Sequence, residues 1–238
     1  MGTRVSAEAV IWHDLECGGY RADLGHWHAL AADCAGPLLD VGAGTGRVAL
    51  SLAGRGHAVI ALERDPVLAD ELERRAAGLA VQVICGDATS FTLAAPVSLA
   101  IVPMQTIHLL DDRAAFLRCA RRALASDGVL AVSLLGEGVE PFELELEPDA
   151  VRHGAVRYES TPTALRRCGG AIVLERRRTR SSGARAHSQT DRISLRECER
   201  ATLEREARTA GFRPAGVRSV APTLEHAGSE IVCLAVAP

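Results

Sequence analysis

The stretch LLDVGAGTGRVAL, residues 38–50, decides how the rest of the chain is read. An apolar run containing Asp40 leads into glycines at 42, 44 and 46, and helix-favouring residues follow at once. A strand, a glycine turn and a helix in that order bring backbone close to a ligand, because glycine lacks the Cβ that would block contact and accepts φ > 0. Two phosphate-binding readings compete for such a loop. The dinucleotide fingerprint GxGxxG needs a glycine where Arg47 stands, and the P-loop needs a GK[ST] ending that this loop does not have.

Working outward, strands and helices alternate from residue 37 to 135. PLLDVG (37–42), AVIALE (58–63), VQVICGD (81–87), VSLAIVPM (97–104) and GVLAVSLL (128–135) read as strands. TGRVALSLAGRG (45–56), PVLADELERRAAG (66–78) and DDRAAFLRCARRALAS (111–126) read as the helices between them. Pro66 at a helix start and Gly78 past its end suit those positions. Strands that are apolar throughout, alternating with helices, predict a parallel sheet covered on both faces. The helix ECERATLEREARTAG (197–211) and two strands around AGVRSVAP (215–222) and EIVCLAVAP (230–238) complete it. Between them, FELELEP (142–148), AIVLERRRTR (171–180) and RAHSQTDRIS (185–194) alternate with period two, as exposed antiparallel strands do, with turns near CGG (168–170) and SSGA (181–184).

In order along this frame, LLDVGAGTGRVAL, then VIALERDP with Glu63 at the second strand end, then VICGDATSF with Asp87 after the third, resemble class I S-adenosylmethionine (SAM) dependent methyltransferases. RRALASDGVLAVSLL is similar to the helix and strand that end that family's core, though Ser126-Asp127-Gly128 departs from its usual Pro-Gly-Gly. The resemblance covers roughly residues 37–135. It implies a Rossmann-like α/β fold with a seven-stranded sheet, and SAM as cofactor. It places Asp40, Gly42, Ala43, Gly44 and Gly46 around the amino-acid end of SAM, and Glu63 on the ribose hydroxyls. Asp87 and the Ala88 N–H fall to the adenine, and Arg64 and Pro103 complete the cofactor set. A carboxylate can accept from both ribose hydroxyls, so the residue type at 63 makes chemical sense.

The acceptor is expected beside VPMQTIHLL (102–110), where His108 and Gln105 are candidates to deprotonate or orient it. An alcohol or phenol would need a base with a pKa near the working pH, such as histidine, whereas a neutral amine would not. A histidine packed at a helix entrance is the alternative for His108. Both tryptophans (Trp12, Trp27) and Tyr20 fall within the first 27 residues, which the resemblance makes a helical lid, with Tyr20 a third candidate for acceptor contact. The alternative is a helix pair pinned to the sheet edge. The expected organisation is therefore a lid at 1–36, a SAM-binding core at 37–138 and 197–238, and an antiparallel insertion at 139–196.

The insertion is arginine-rich: residues 151–196 hold eleven arginines against three acidic residues, and the chain's 27 basic residues are all arginine. A solvated sheet face with cross-strand ion pairs, partly to the glutamates of FELELEP, accounts for this. An acceptor pocket or a homodimer contact are other uses. An RNA backbone is disfavoured, because Tyr158 is the segment's one aromatic and stacking has little to work with. The net charge of −3 gives no global attraction to nucleic acid or to an anionic membrane. Seven scattered cysteines without a CxxC pair, and no run of about 18 apolar residues, point to a cytoplasmic protein with free thiols, no zinc site and no membrane span. The expected function is transfer of a methyl group from SAM to a small molecule, at nitrogen or oxygen rather than carbon, without a metal. RNA methylation and SAM binding without methylation are the alternatives, and a nicotinamide dehydrogenase is disfavoured by Arg47.

Overall fold

The computed structural model describes residues 2–136, 140–223 and 227–238. The chain divides into two compact units, Tyr20–Glu137 with Cys198–Pro238, and Met1–Gly19 with Gly138–Glu197. The expected boundary at 138/139 falls outside the described residues.

In chain order the elements are α1 (Gly2–His13), α2 (Leu24–Ala32), β1 (Leu38–Val41), α3 (Ala49–Ala53), β2 (Val59–Glu63), α4 (Pro66–Arg75), β3 (Val81–Cys85), β4 (Val97–Val102), α5 (Arg113–Ala123) and β5 (Leu124–Leu135). They continue with β6 (Asp149–His153), β7 (Val156–Cys168), β8 (Ala171–Ser182), β9 (Arg185–Arg196), α6 (Arg200–Thr209), β10 (Phe212–Val220) and β11 (Ser229–Val236). The larger unit is a seven-stranded sheet ordered β3-β2-β1-β4-β5-β11-β10. Pairs among β1 to β5 are parallel, and β11 runs antiparallel to both β5 and β10. This is the Rossmann-like seven-stranded α/β fold expected from the sequence.

Both sheet faces are covered, which is why β1 and β4 are apolar almost throughout. On one side Phe116, Leu117 and Ala120 of α5 and Leu203 and Ala207 of α6 pack with Leu39, Val41, Val102 and Leu130. On the other, Trp27 and Ala31 of α2, Leu52 of α3 and Leu72 of α4 pack with Leu38, Ala61 and Leu99. Burial stabilises by roughly 1.5–3 kcal/mol for each large apolar side chain. Successive strand residues alternate faces, so Asp40 shares the side of Leu38, beneath α2 and α3. The strand order reverses between β1 and β4, where an open α/β sheet has its ligand crevice.

Local chemistry explains the helix ends. The Asp65 carboxylate accepts the Val67 N–H at 2.8 Å and the Leu68 N–H at 3.4 Å, ahead of Pro66 at the first helical position of α4. Asp112 caps α5 through the Ala115 N–H at 2.8 Å. Two sequence expectations are corrected. The helix read to residue 126 ends at Ala123, and LAS (124–126) begins β5, whose Leu124 already pairs with Val97. FELELEP forms no strand. Pro141 before it and Pro148 at its end have no N–H to donate, its backbone is held by Phe142 pairing with Leu165 and the Leu146 N–H on Pro162 O, and Leu144 and Leu146 are exposed. The insertion's first strands are instead β6, just beyond, and β7, neither of them read from the sequence.

The smaller unit carries the antiparallel sheet β6-β7-β8-β9, with turns at Gly169–Gly170 and Gly183. Trp12 of α1 meets Tyr158 of β7 edge-to-face, centroids 5.1 Å apart. The Arg178 guanidinium lies 5.5 Å over the Trp12 ring, and it donates to both oxygens of Glu16 at 2.8 and 2.6 Å. Burial pushes the Glu16 carboxyl up, but Arg178 and the Ser160 hydroxyl outweigh it and hold the group below its ordinary value. Other arginines of this sheet pair too: Arg177 with Glu145, Arg180 with Glu8, and both Arg166 and Arg192 with Glu175. Exposed pairs of this kind add little to stability, so their effect is to neutralise the sheet face. Among the described residues, no helix is long and apolar enough to cross a membrane.

Candidate functional site

The loop after β1 lies at the point where the strand order reverses. Gly42, Gly44 and Gly46 all have positive φ, at 70°, 56° and 99°. A Cβ on Gly42 would stand 2.5 Å from Thr106 Cγ2, and one on Gly46 would stand 2.3 Å from Leu72 Cδ1. Glycine is therefore required at those two positions by conformation and by space together. The Gly42 and Ala43 N–H groups donate to Leu62 O at 2.8 and 3.1 Å, which seats the loop on the end of β2.

Glu63, 7% exposed, holds the middle of the loop: its Oε2 accepts the Gly44 N–H at 2.8 Å, and its Oε1 accepts the Asp65 N–H at 2.9 Å. A carboxylate has about four acceptor positions, so roughly two remain on Glu63. Asp40 is 1% exposed, and neither of its oxygens has a hydrogen-bond partner. Burial pushes its carboxyl up to about 7. Arg47 opposes that shift, as does the Ala49 N–H, which lies near without meeting hydrogen-bond geometry, while Asp23 and Glu63 reinforce it.

After β3, Asp87 is exposed and its Oδ1 takes both the Thr89 N–H and the Thr89 hydroxyl at 2.6 Å, which hold its pKa below the ordinary value. Ala88 packs at the edge of the core, and Arg64 is exposed. After β4, Pro103 is buried and Met104 has φ 53°, the one positive φ outside glycine among the described residues. Strain of this sort, of order 1–3 kcal/mol, gathers at functional sites. Gln105 is half-buried and its carbonyl accepts the His108 N–H at 2.9 Å.

Residues 38–128 match the model of a family described as a methyltransferase domain. Over those residues the seven-stranded unit is similar to a methyltransferase domain, the kind of domain that its sequence motifs resemble. No curated sequence matches the chain. Among solved structures, the sugar N-methyltransferase KedS8 from a Streptoalloteichus species is 16% identical with a TM-score of 0.76, over 97% of this chain and 92% of that one. CalS10, an amino pentose methyltransferase from Micromonospora echinaspora, is 22% identical with a TM-score of 0.69, over 98% and 97%. The CcbJ methyltransferase from Streptomyces caelestis is 20% identical with a TM-score of 0.69, over 93% and 92%. At such identities the likeness is one of fold.

In the seven-stranded unit the acceptor candidates are differently placed. His108 is 2% exposed and its Nε2 accepts the Leu135 N–H at 3.1 Å, so that nitrogen carries no proton and its lone pair is engaged. This is the geometry of a packed histidine tying the turn after β4 to the end of β5. His108→Ala should leave the Leu135 N–H unpaired and cost about 1–3 kcal/mol of stability, with SAM affinity unchanged. A loss of turnover beyond tenfold in a variant that melts like the wild type would instead give the ring a proton-transfer role through Nδ1. Tyr20 is 6% exposed, and burial, reinforced by the Asp23 charge, raises its phenol above the ordinary value. Trp27 is wholly buried in the core.

Sequence reasoning missed Asp23 and Arg47. The Arg47 guanidinium donates to both oxygens of Asp23 at 2.6 and 2.7 Å and to Tyr20 O at 3.0 Å, and lies 5.2 Å over the Tyr20 ring. The Trp27 indole N–H donates to Asp23 Oδ2 at 2.8 Å. One signal was present: an arginine between Gly46 and the apolar run VAL needs a buried partner, although nothing in the sequence says which.

Proposed function

We propose that this chain transfers a methyl group from SAM to a nitrogen on a small molecule, and that an amino group of a sugar is the first acceptor class to test. The carrying observation is the glycine loop held at its centre by Glu63, with an unpartnered buried carboxylate, Asp40, below it. The donor set fits the cofactor. Glu63 has acceptor capacity left for two hydroxyls, and Oδ2 of Asp87 is left by the Thr89 bonds for an amino group. Asp40 and the loop of Gly42, Ala43, Gly44 and Gly46 offer a carboxylate and close backbone to the cationic amino-acid end. Ala88 supplies a backbone N–H, and Arg64 and Pro103 border the same strand ends. When bound, SAM supplies an electrophilic methyl on a sulfonium.

The acceptor needs little chemistry from the protein. A neutral amine attacking a cation needs no strong base, and orientation in a site closed to water contributes most of the rate. Gln105 and Tyr20 are the side chains proposed to orient it. An engaged Nε2 on His108 supports an amine over a phenol, since a phenol would call on a base. The amino-sugar class is suggested by the activities named for KedS8 and CalS10.

Calorimetric titration with SAM, S-adenosylhomocysteine and NADH tests the cofactor. Micromolar binding of the first two is expected. Glu63→Ala should weaken it by about 10–100-fold, the worth of one or two hydrogen bonds to a charged group. Binding of NADH in place of SAM would sink the reading.

A further inference from the structure

We propose that Arg47 is a positioning residue for the cofactor loop, acting through Asp23, and that the segment Tyr20–Ala32 is thereby part of the SAM site. The inference rests on the SAM reading above.

The glycine loop is held at three places. Its start hangs on Leu62 O, its centre on Glu63, and its exit on residue 47, directly after Gly46. The third attachment is the ion pair to Asp23. Both partners are withdrawn from water, with side-chain exposures of 7% for Arg47 and 1% for Asp23. A fork of two parallel bonds fixes orientation as well as distance, which a single charge contact does not.

Asp23 stands immediately before the first residue of α2, where a carboxylate ordinarily accepts the first free helix N–H groups. Here it makes no such cap. Its oxygens turn instead to Arg47 and to the Trp27 indole. The helix forgoes a local stabilisation that its own sequence offers, and the group that gains is the residue closing the glycine loop. Arg47 also accounts for Tyr20, holding its carbonyl by a hydrogen bond and its ring by a cation–π contact. One guanidinium thus ties the exit of the cofactor loop to the side chain proposed to meet the acceptor. If the exit is released, the loop N–H groups lose their fixed spacing, and SAM must order them on binding.

The experiment is calorimetric titration of the full chain with SAM, for wild type, Asp23→Asn, Arg47→Lys and the double variant, each with a thermal melt. Each single variant should bind SAM roughly tenfold or more weakly, within the range of coupling between linked groups, and the double no more weakly than the worse single, since they act as one unit. Folded single variants whose Kd stays within about twofold of wild type would reduce the pair to a structural staple and overturn the inference. Absence of SAM binding by the wild type would instead overturn the cofactor reading and this inference with it. Removing one partner of a buried pair can unfold a protein, so hydrogen exchange on the unaltered chain gives a second arm. SAM should slow exchange of the amides from Asp23 to Trp27, and unchanged exchange there would overturn the proposal.

Discussion

Gly46→Ala should lower the unfolding free energy by roughly 3–5 kcal/mol, the sum of an L-residue forced to positive φ and of overpacking against fixed neighbours. Gly46 has φ 99°, and an added Cβ would stand 2.3 Å from Leu72 Cδ1 and 2.8 Å from Leu50 Cγ. Leu72 is wholly buried in the core, so it cannot swing aside. Gly78 provides the control. Its φ is 82°, and an added Cβ meets nothing within 4 Å, so Gly78→Ala carries the backbone strain alone, about 1–2 kcal/mol. For a chain of this size Gly46→Ala should melt roughly 10 °C below the wild type and Gly78→Ala only a few degrees below. Equal losses would mean that the loop rests loosely on α4, and that the case for a tight backbone cradle fails.

The same contrast shows what the sequence could reveal. GxGxG predicts a loop that needs glycine, and Glu63 and Asp87 at successive strand ends predict carboxylates at the same edge of the sheet. Those are local patterns of period and spacing, and they place elements well. Arg47 shows the limit. In sequence it registers only as a missing glycine, because its partner lies 24 residues upstream in a segment with no periodicity tying it to the loop. His108 was legible as a residue type in the turn after β4, but the engagement of its Nε2 by the Leu135 N–H depends on how β5 ends against that turn. LAS (124–126) continues a helix-favouring run and still begins β5, because pairing with β4 overrides a weak local preference. FELELEP has the strand alternation and lies beside β7, but it makes a single isolated bridge there and no ladder, and alternation alone does not make a strand.

Asp40 should make the ligand-free protein less stable as pH rises from about 4 to 7. In the unfolded chain its carboxyl ionises near 3.8, while in the native state burial holds the proton until about 7. Between those values the native state binds more protons than the unfolded one, so unfolding releases a proton and rising pH favours it. Below about 4 both states are protonated and above about 7 both are ionised, and neither region contributes a slope. A shift of about 3 units sets a ceiling near 4 kcal/mol, and relaxation around the buried group brings the expected loss to roughly 2–4 kcal/mol. Urea midpoints of wild type and Asp40→Asn at pH 5 and pH 8 isolate this term, because every other titrating group is common to both chains. The wild type should lose more stability over that interval than the variant, and a slope unchanged by the substitution would show that Asp40 is not the group responsible. Among the described residues it is the one charged side chain whose buried oxygens lack a partner. Bare beneath a backbone cradle, its ionised form carries a desolvation cost that the bound proton relieves below about pH 7 and that a cation at the loop would relieve above it.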